Sequence, residues 1–212
     1  MTDAAELLAA YDTQVRARVP EPLPRGVSFE RDGPLLRFHG YGDRGFVVYS
    51  TLGGLDGPEL DVLIARQVDV FARRGEPFEW KLHGHDLPRD LPERLLAHGL
   101  VPEDEETVVI AAAAEIAGPP RLPERVALRE LTERRDLDRI AGLEHAVWGG
   151  GFPRWLAANL EGELAADPGG IAIVAAEAGG TVVCAAWVRF ERGTEFATFW
   201  GGATLPEWRR RG

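Results

Sequence analysis

The sequence contains little cysteine and no long apolar run, and both absences narrow the possible classes of protein. Cys184 is the only cysteine among 212 residues, which excludes an internal disulfide and any zinc site built from several cysteines. It lies in an apolar run and is predicted to act as a small core residue. No segment approaches the roughly 18 apolar residues that a membrane span needs, and residues 1–6 lack the basic region of a signal peptide. We therefore expect a cytoplasmic protein with no membrane partner.

Positive charge is also in short supply. The chain carries 24 lysine and arginine residues against 34 aspartate and glutamate residues, for a formal net charge of -10. A protein that binds nucleic acid needs a positive face to neutralise phosphates, so the composition argues against a nucleic-acid partner. An acidic protein instead suits cationic amines such as aminoglycosides, polyamines or peptide N-termini, although net charge describes the encounter and not the chemistry of a pocket.

A stretch rich in glycine and proline divides the chain into two parts. Residues 116–124 include Gly118, Pro119, Pro120 and Pro123, and such residues remove backbone donors and favour extended conformations. We therefore predict an N-terminal domain over residues 1–118, a linker over residues 119–125 and a second domain over residues 126–212. A composition of 45% hydrophobic and 27% charged residues is ordinary for folded domains.

The hydrophobic pattern of the first part alternates between helical and extended periods. Helices are predicted over residues 4–19, 58–74 and 91–98, and strands over residues 35–39, 46–50, 78–82 and 107–113. The first part is therefore expected to be a mixed α/β domain. Within it Gly40, Gly42 and Gly45 match G-x-G-x-x-G, but an extended pattern follows them where a dinucleotide site needs a helix. We interpret these glycines as part of a hairpin turn.

Two histidines and an aspartate lie within four residues, at His83, His85 and Asp86. A catalytic zinc ion would need a third protein ligand placed by the fold, and no H-E-x-x-H pattern is present. We therefore expect no metal, and we interpret Asp86 as a residue that caps the next helix or turns the chain into it. The other histidines have no serine or cysteine partner in a recognisable arrangement, so nucleophilic triad chemistry has no support.

The second part begins with one strand and two helices and continues as a series of strands. A strand is predicted over residues 126–131, helices over residues 136–147 and 153–166, and three further strands over residues 171–177, 181–190 and 195–204. Short turns that contain Gly179, Gly180 and Gly193 separate these three strands, so we expect one mostly antiparallel sheet. The two helices are expected to pack against it.

The last predicted strand runs into a proline turn and then into Arg209, Arg210, Arg211 and Gly212, where the sequence stops. Backbone N–H groups of a glycine-bearing loop after a strand converge on anions such as phosphate. Taken alone, these four residues would also suit a solvated basic tail. The order of strand, turn and loop favours the anion site.

This order of elements and the Arg-x-x-Gly run resemble the Gcn5-related N-acetyltransferase (GNAT) superfamily. The cofactor motif of that superfamily is Gln/Arg-x-x-Gly-x-Gly/Ala, and residues 209–212 fill its first four positions. The resemblance covers residues 126–212 and implies an α+β GNAT fold that is incomplete at the C-terminus, because the family continues with further helices and strands. We therefore expect the chain to end inside the acetyl-CoA motif, and this 212-residue form to bind CoA poorly and to be inactive.

A fainter resemblance concerns residues 35–113, whose strands and helices follow an order similar to the later half of the same fold. In this interpretation the smaller N-terminal α/β domain is a degenerate GNAT-like half that supports the second domain. A generic α/β domain explains the same pattern equally well.

The GNAT resemblance implies transfer of an acetyl group from acetyl-CoA, as co-substrate, to the amine of a small molecule or a peptide. The implied cofactor-binding residues are Gly202, Ala203, Thr204, Arg209, Arg210, Arg211 and Gly212. The first three would pair through their backbone with the pantetheine arm, and the amides of the last three would face the pyrophosphate. No general base is assigned, since Phe199 occupies the family's usual acidic position. The alternative is a non-catalytic GNAT-like domain with a regulatory or partner-binding role.

The last strand is also expected to present an unpaired edge. Phe196, Phe199 and Trp200 lie along it, and apolar residues beside an open strand edge favour pairing with another chain. We therefore predict that this edge is covered either by a second copy of the chain, in a homo-oligomer, or by the N-terminal domain.

Overall fold

The computed structural model describes residues 3–42, 44–149 and 153–211. The chain forms two compact units, one built from Met1–Val19 and Gly26–Ala112 and the other from Pro20–Arg25 and Ala113–Gly212. Each unit combines a four-stranded sheet with helices, so the mixed α+β class is confirmed. The domain limits placed by sequence at 1–118 and 126–212 stay a prediction. No helix within the described ranges is both long and apolar enough to cross a bilayer.

The sheet of the first unit ends in a parallel pair. Its helices are α1 (Ala4–Gln14), α2 (Gly57–Arg74) and α3 (Leu91–Ala97). Its strands are β1 (Ser28–Asp32), β2 (Leu35–Tyr41), β3 (Arg44–Val48) and β4 (Phe78–Trp80). Strands β1, β2 and β3 pair antiparallel in that order, and β3 pairs parallel with β4. Helix α2 makes the crossover between β3 and β4, because parallel neighbours cannot be joined by a hairpin.

The core of the first unit includes residues of α2 and of the sheet, where a glycine allows close packing. A Cβ atom on Gly45 would lie 2.3 Å from the ring of Phe71. Gly40 and Gly42 adopt positive φ before β3 begins, so the hairpin interpretation of the glycine run is confirmed; Asp43 lies outside the described residues. The buried core residues include Leu35, Val47, Tyr49, Leu60, Ile64, Phe71, Trp80 and Leu91.

The second unit is a fully antiparallel sheet covered by two long helices. Its helices are α4 (Ala113–Ile116), α5 (Arg134–Trp148) and α6 (Pro153–Ala166). Its strands are β5 (Val126–Glu130), β6 (Ile171–Ala178), β7 (Thr181–Phe190) and β8 (Ala197–Thr204), and a 3-10 turn spans Pro206–Trp208. The strands pair in sequence order, which confirms the predicted sheet. Its core includes Leu137, Ile140, Leu143, Ala157, Leu160, Ile173, Ala175, Ala185 and Trp187.

A network of ion pairs fixes the beginning of α5 to the sheet. Asp136 lies 2.7 Å from Arg129 and 3.1 Å from Arg139, and Glu177 lies 3.0 Å and 2.8 Å from the same two guanidinium groups. The hydrogen bonds from Arg129 are the main cause that lowers the pKa of Asp136 to about 2. The network therefore sets the position of the helix whose other end lines the cavity described below.

Two strands differ from those predicted by the sequence. The strand predicted over residues 107–113 is wrong, since residues 107–112 belong to no helix or strand and α4 begins at Ala113. The run has high β propensity, but Val109 is 84% exposed, and a strand needs both a ladder partner and a surface to bury. The analysis also missed β1, because the sequence Ser-Phe-Glu-Arg-Asp of this edge strand has no apolar alternation.

Cys184 is half-buried and does not lie in the core. Side-chain direction alternates along a strand, so Cys184 points away from the face that carries Ala185 and Trp187. The hydroxyl of Thr204 lies 3.1 Å from its sulfur. The core position predicted for this cysteine is therefore wrong.

Candidate functional site

A bulge interrupts strand β8 halfway along its length. Ala203 pairs with Ala185 and Trp200 pairs with Trp187, so β8 advances three residues where β7 advances two. The extra residue lies at Gly201 and Gly202, and Gly201 has a φ of +64°. A bulge of this kind bends a strand and leaves one residue outside the ladder.

Position 201 requires glycine for a second reason besides its backbone angle, which is the close packing of a neighbouring side chain. A Cβ atom at this position would lie 1.8 Å from the indole of Trp187, which no side-chain shift of ordinary size relieves. The backbone of the bulge is therefore pressed directly against an aromatic side chain that lies under the sheet.

Strand β8 is the outer strand of its sheet, so no described strand pairs with its other edge, which is called the open edge below. The N–H of Leu205 donates to the carbonyl of Val183 at 3.0 Å. Because inward and outward residues alternate along an antiparallel ladder, the backbone N–H and C=O of Thr204 point to the open edge. The side chain of Arg209 donates to that carbonyl at 3.1 Å. An extended ligand that pairs like an added strand fits such an edge.

The residues after β8 form a tight turn that is rich in arginine. Arg210 has a φ of +61°, which costs a residue other than glycine roughly 1 kcal/mol. The guanidinium of Arg211 lies 5.2 Å from the ring centre of Trp208. The structure therefore puts Gly202, Ala203 and Thr204 on the open strand and residues 209–211 in the turn that follows it, and Gly212 lies outside the described residues. Cofactor binding by these seven residues stays a prediction.

A cavity of about 350 Å³ lies beneath the bulge, inside the second unit. Helices α5 and α6 and strands β7 and β8 all contribute to its wall. Its described lining residues are Ala141, Glu144, His145, Trp148, Gly149, Leu156, Trp187 and Gly201. The wall is thus mostly apolar and aromatic, with few polar groups, which is the usual composition of a small-molecule site.

Glu144 is the acidic residue of this wall. One of its carboxylate oxygens, Oε1, is buried and forms a hydrogen bond with no described residue. Burial raises the pKa of Glu144 to about 7, because a charged carboxylate loses hydration there. The indole Nε1 of Trp187 is also buried without a described partner. The cavity therefore has one acceptor and one donor among its lining side chains that no described part of the protein satisfies.

The sequence analysis missed Glu144, although a signal was present. Leu137 and Ile140 face the core from this helix, and Glu144 follows them at helical spacing of seven and four residues. A carboxylate on an apolar stripe is unusual, since glutamate is almost never buried without a partner. Its missing partner and the neighbouring indoles become visible only when α5, β7 and β8 are brought together.

The His83–Asp86 segment in the first unit is a structural turn. The two oxygens of Asp86 accept hydrogen bonds from the guanidinium of Arg16 at 2.8 Å and 2.9 Å. The hydroxyl of Tyr49 donates to Asp86 at 2.6 Å and the backbone N–H of His83 at 2.9 Å. The turn predicted at Asp86 is therefore confirmed, whereas the N-cap of the next helix is Asp90 and not Asp86. The described residues contain no group of three histidine, cysteine or acidic side chains arranged to hold a metal ion.

Comparisons with known proteins identify the fold. No family model matches the sequence, and no curated protein matches it. Among solved structures, a GCN5-related N-acetyltransferase from Kribbella flavida matches with a TM-score of 0.61 and 16% sequence identity, over 89% of this chain and 70% of that chain. At this identity the likeness shows the fold, so the GNAT resemblance seen in the sequence is confirmed as a fold.

Proposed function

We propose that this protein is an N-acetyltransferase that transfers the acetyl group of acetyl-CoA to an amine. The observation that carries the proposal is the bulge at Gly201, which belongs to the open outer strand and also lines the cavity beneath it. A thioester that lies along the strand would reach an acceptor in the cavity at this point. The GNAT fold of the chain supports the assignment.

For acetyl-CoA we propose recognition by the backbone of β8 and of the turn after it. The pantetheine arm, which carries amide groups, would pair with Gly202, Ala203 and Thr204 as an added strand. The pyrophosphate would lie at the amides of residues 210–212, where the arginine side chains add attraction. Arg209 must then release the carbonyl of Thr204, which it holds in the structure.

The chemistry needs a thioester that is oriented, a carbonyl polarised by backbone donors and an amine delivered without its extra proton. An open strand edge beside a bulge supplies the first two, because unpaired N–H groups point outward from it. The cavity supplies a place of limited size for the amine. A scaffold role without catalysis would leave both features unused.

The experiment is calorimetric titration of CoA and acetyl-CoA into the full-length gene product that contains these residues. Thr204→Pro removes one outward N–H and leaves the hydrogen bonds to β7 intact, since proline is tolerated on an open edge. Thr204→Val is the matched control, because it keeps the N–H and removes only the hydroxyl. We expect the dissociation constant to rise about tenfold for Thr204→Pro, which corresponds to one hydrogen bond, and to change little for Thr204→Val.

Absence of CoA binding by the wild-type protein would contradict the proposed function. Binding without acetyl transfer to any amine would favour the non-catalytic alternative.

A further inference from the structure

The cavity contains a carboxylate for which the described residues supply no cationic partner. A buried acidic group in a folded protein is normally paired or hydrogen-bonded, yet Oε1 of Glu144 has no described partner. The arginine that lies near the cavity-lining Trp187 is occupied elsewhere. Arg189 of β7 lies near the ring of Trp187 but pairs with Glu163 of α6 at 2.7 Å.

We propose, on the basis of the acetyltransferase function above, that Glu144 binds the ammonium group of the acceptor and takes up its proton. We propose further that this acceptor is a primary amine carried on an aromatic or flat apolar body. Both statements follow from the cavity, which combines one unpaired carboxylate with aromatic walls.

The residues that line the cavity determine which class of amine fits it. The indoles of Trp148 and Trp187 and the side chain of Leu156 line the same space. Indole faces attract cations and stack with other rings. A polyamine would need a carboxylate for its second ammonium, and Glu144 is the only acidic side chain among the described lining residues. A polyhydroxylated aminoglycoside would leave most of its hydroxyl groups without partners against such a wall.

The reaction balances in protons and electrons. The ammonium of the acceptor gives one proton to the carboxylate of Glu144, and its nitrogen lone pair then attacks the thioester carbonyl. The C–N bond forms, the C–S bond breaks, and the thiolate of CoA leaves with the bonding electron pair. The second proton of the nitrogen passes to that thiolate, and Glu144 returns its own proton to solvent.

This role predicts a pH dependence with a defined sign. The carboxylate form of Glu144 is the active form, so kcat/KM should rise with pH and level off above about 7. Among the described lining residues, His145 is the other titratable group that faces the cavity. Helix α6 contributes Leu156, β7 contributes Trp187 and β8 contributes Gly201, none of which titrates in this range.

The test uses 2-phenylethylamine as acceptor and compares the wild-type protein with Glu144→Gln and with the control His145→Gln. We expect Glu144→Gln to lower kcat roughly 100-fold or more and to abolish the rise of kcat/KM near pH 7. His145→Gln should keep that rise. Calorimetry should show that 2-phenylethylamine binds the wild-type protein, and that 2-phenylethanol, which has no charge, binds at least tenfold more weakly.

A measurement that does not require catalysis tests the titration of the Glu144 carboxyl directly. In protein labelled with ¹³C-glutamate, one side-chain carboxyl resonance should titrate near pH 7 and should be missing in Glu144→Gln. Acetyl transfer whose pH dependence is unchanged in Glu144→Gln would overturn the role of Glu144 and leave the acetyltransferase function standing. Spermidine as a better acceptor than 2-phenylethylamine would overturn the proposed class of amine. Failure of the wild-type protein to bind CoA would instead remove the acetyltransferase function and this role together.

Discussion

Asp86 in the first unit and Glu144 in the second unit are both partly buried carboxylates, and they are in opposite situations. In the first unit both oxygens of Asp86 are occupied, by Arg16, by Tyr49 and by the backbone of His83. In the second unit an oxygen of Glu144 has no described partner, and the residue lines a cavity. A satisfied buried charge holds a fold together, whereas an unsatisfied one costs stability and is retained where function requires it.

The comparison also separates two kinds of sequence signal. The segment around Asp86 looks like a metal site, because two histidines stand next to it, and it is a structural turn. Glu144 stands in an apolar stretch of the sequence whose only other titratable residue is His145, and one of its oxygens is buried without a described partner. Chemistry-bearing residue types in a cluster are therefore a weaker guide than one polar residue at a position where the pattern requires an apolar one.

The largest effect is expected when the satisfied carboxylate is removed. Asp86→Ala leaves the guanidinium of Arg16 buried, with 1% of its side chain exposed, and without its main partner. Breaking such a pair from one side costs about 4 kcal/mol, so the first unit should melt at a markedly lower temperature. Calorimetry of the thermal transition measures this.

The matched control for Asp86→Ala lies on the surface of the same unit. Asp69→Ala removes an exposed ion pair with Arg73, 2.8 Å long, and should cost less than about 0.5 kcal/mol. Equal effects of the two substitutions would show that the network around Asp86 is not what stabilises the first unit.

The second prediction concerns the bulge beside the unsatisfied carboxylate. Gly201→Ala places a methyl group inside the indole of Trp187 and forces a side chain into positive φ, which together should destabilise the second unit by about 3 kcal/mol. Gly202→Ala is the control, because its Cβ would meet nothing within 4 Å. Urea unfolding of both variants gives the comparison, and a stable Gly201→Ala protein would mean that Trp187 does not pack as described.

Much of this second unit could be predicted from sequence because its contacts are local. The hairpins β6–β7 and β7–β8 follow from short glycine turns between extended runs, and α5 follows from its apolar stripe. The strand predicted over residues 107–113 failed because propensity does not supply a ladder partner. The bulge at Gly201 and the unpaired state of Glu144 depend on residues from separate elements, so no local pattern contains them.

Two apolar side chains of β8 are exposed, in agreement with the sequence. Self-association through the edge of this strand stays a prediction. Phe199 is 71% exposed and Trp200 is 52% exposed, and the indole of Trp200 lies 5.3 Å from the guanidinium of Arg189. The same edge is the one proposed to bind acetyl-CoA. Self-association through it would therefore compete with co-substrate binding.

The smallest effect is expected to be a gain in stability at the unsatisfied carboxylate. The pKa of Glu144 is raised to about 7 in the folded protein by burial, so the folded state holds a proton more tightly than the unfolded state does. Stability then falls as pH rises from the ordinary glutamate pKa toward 7 and stays low above it. Glu144→Leu removes this penalty and should stabilise the second unit by about 1 kcal/mol at pH 8, since solvent screening of the half-buried carboxyl reduces the full effect of the shift, but not at pH 4. Melting temperatures at the two pH values measure the difference, and the exposed Glu130→Gln serves as control. A variant that gains nothing at pH 8 would mean that the carboxylate of Glu144 is as well satisfied as that of Asp86, and the contrast between the two units would disappear.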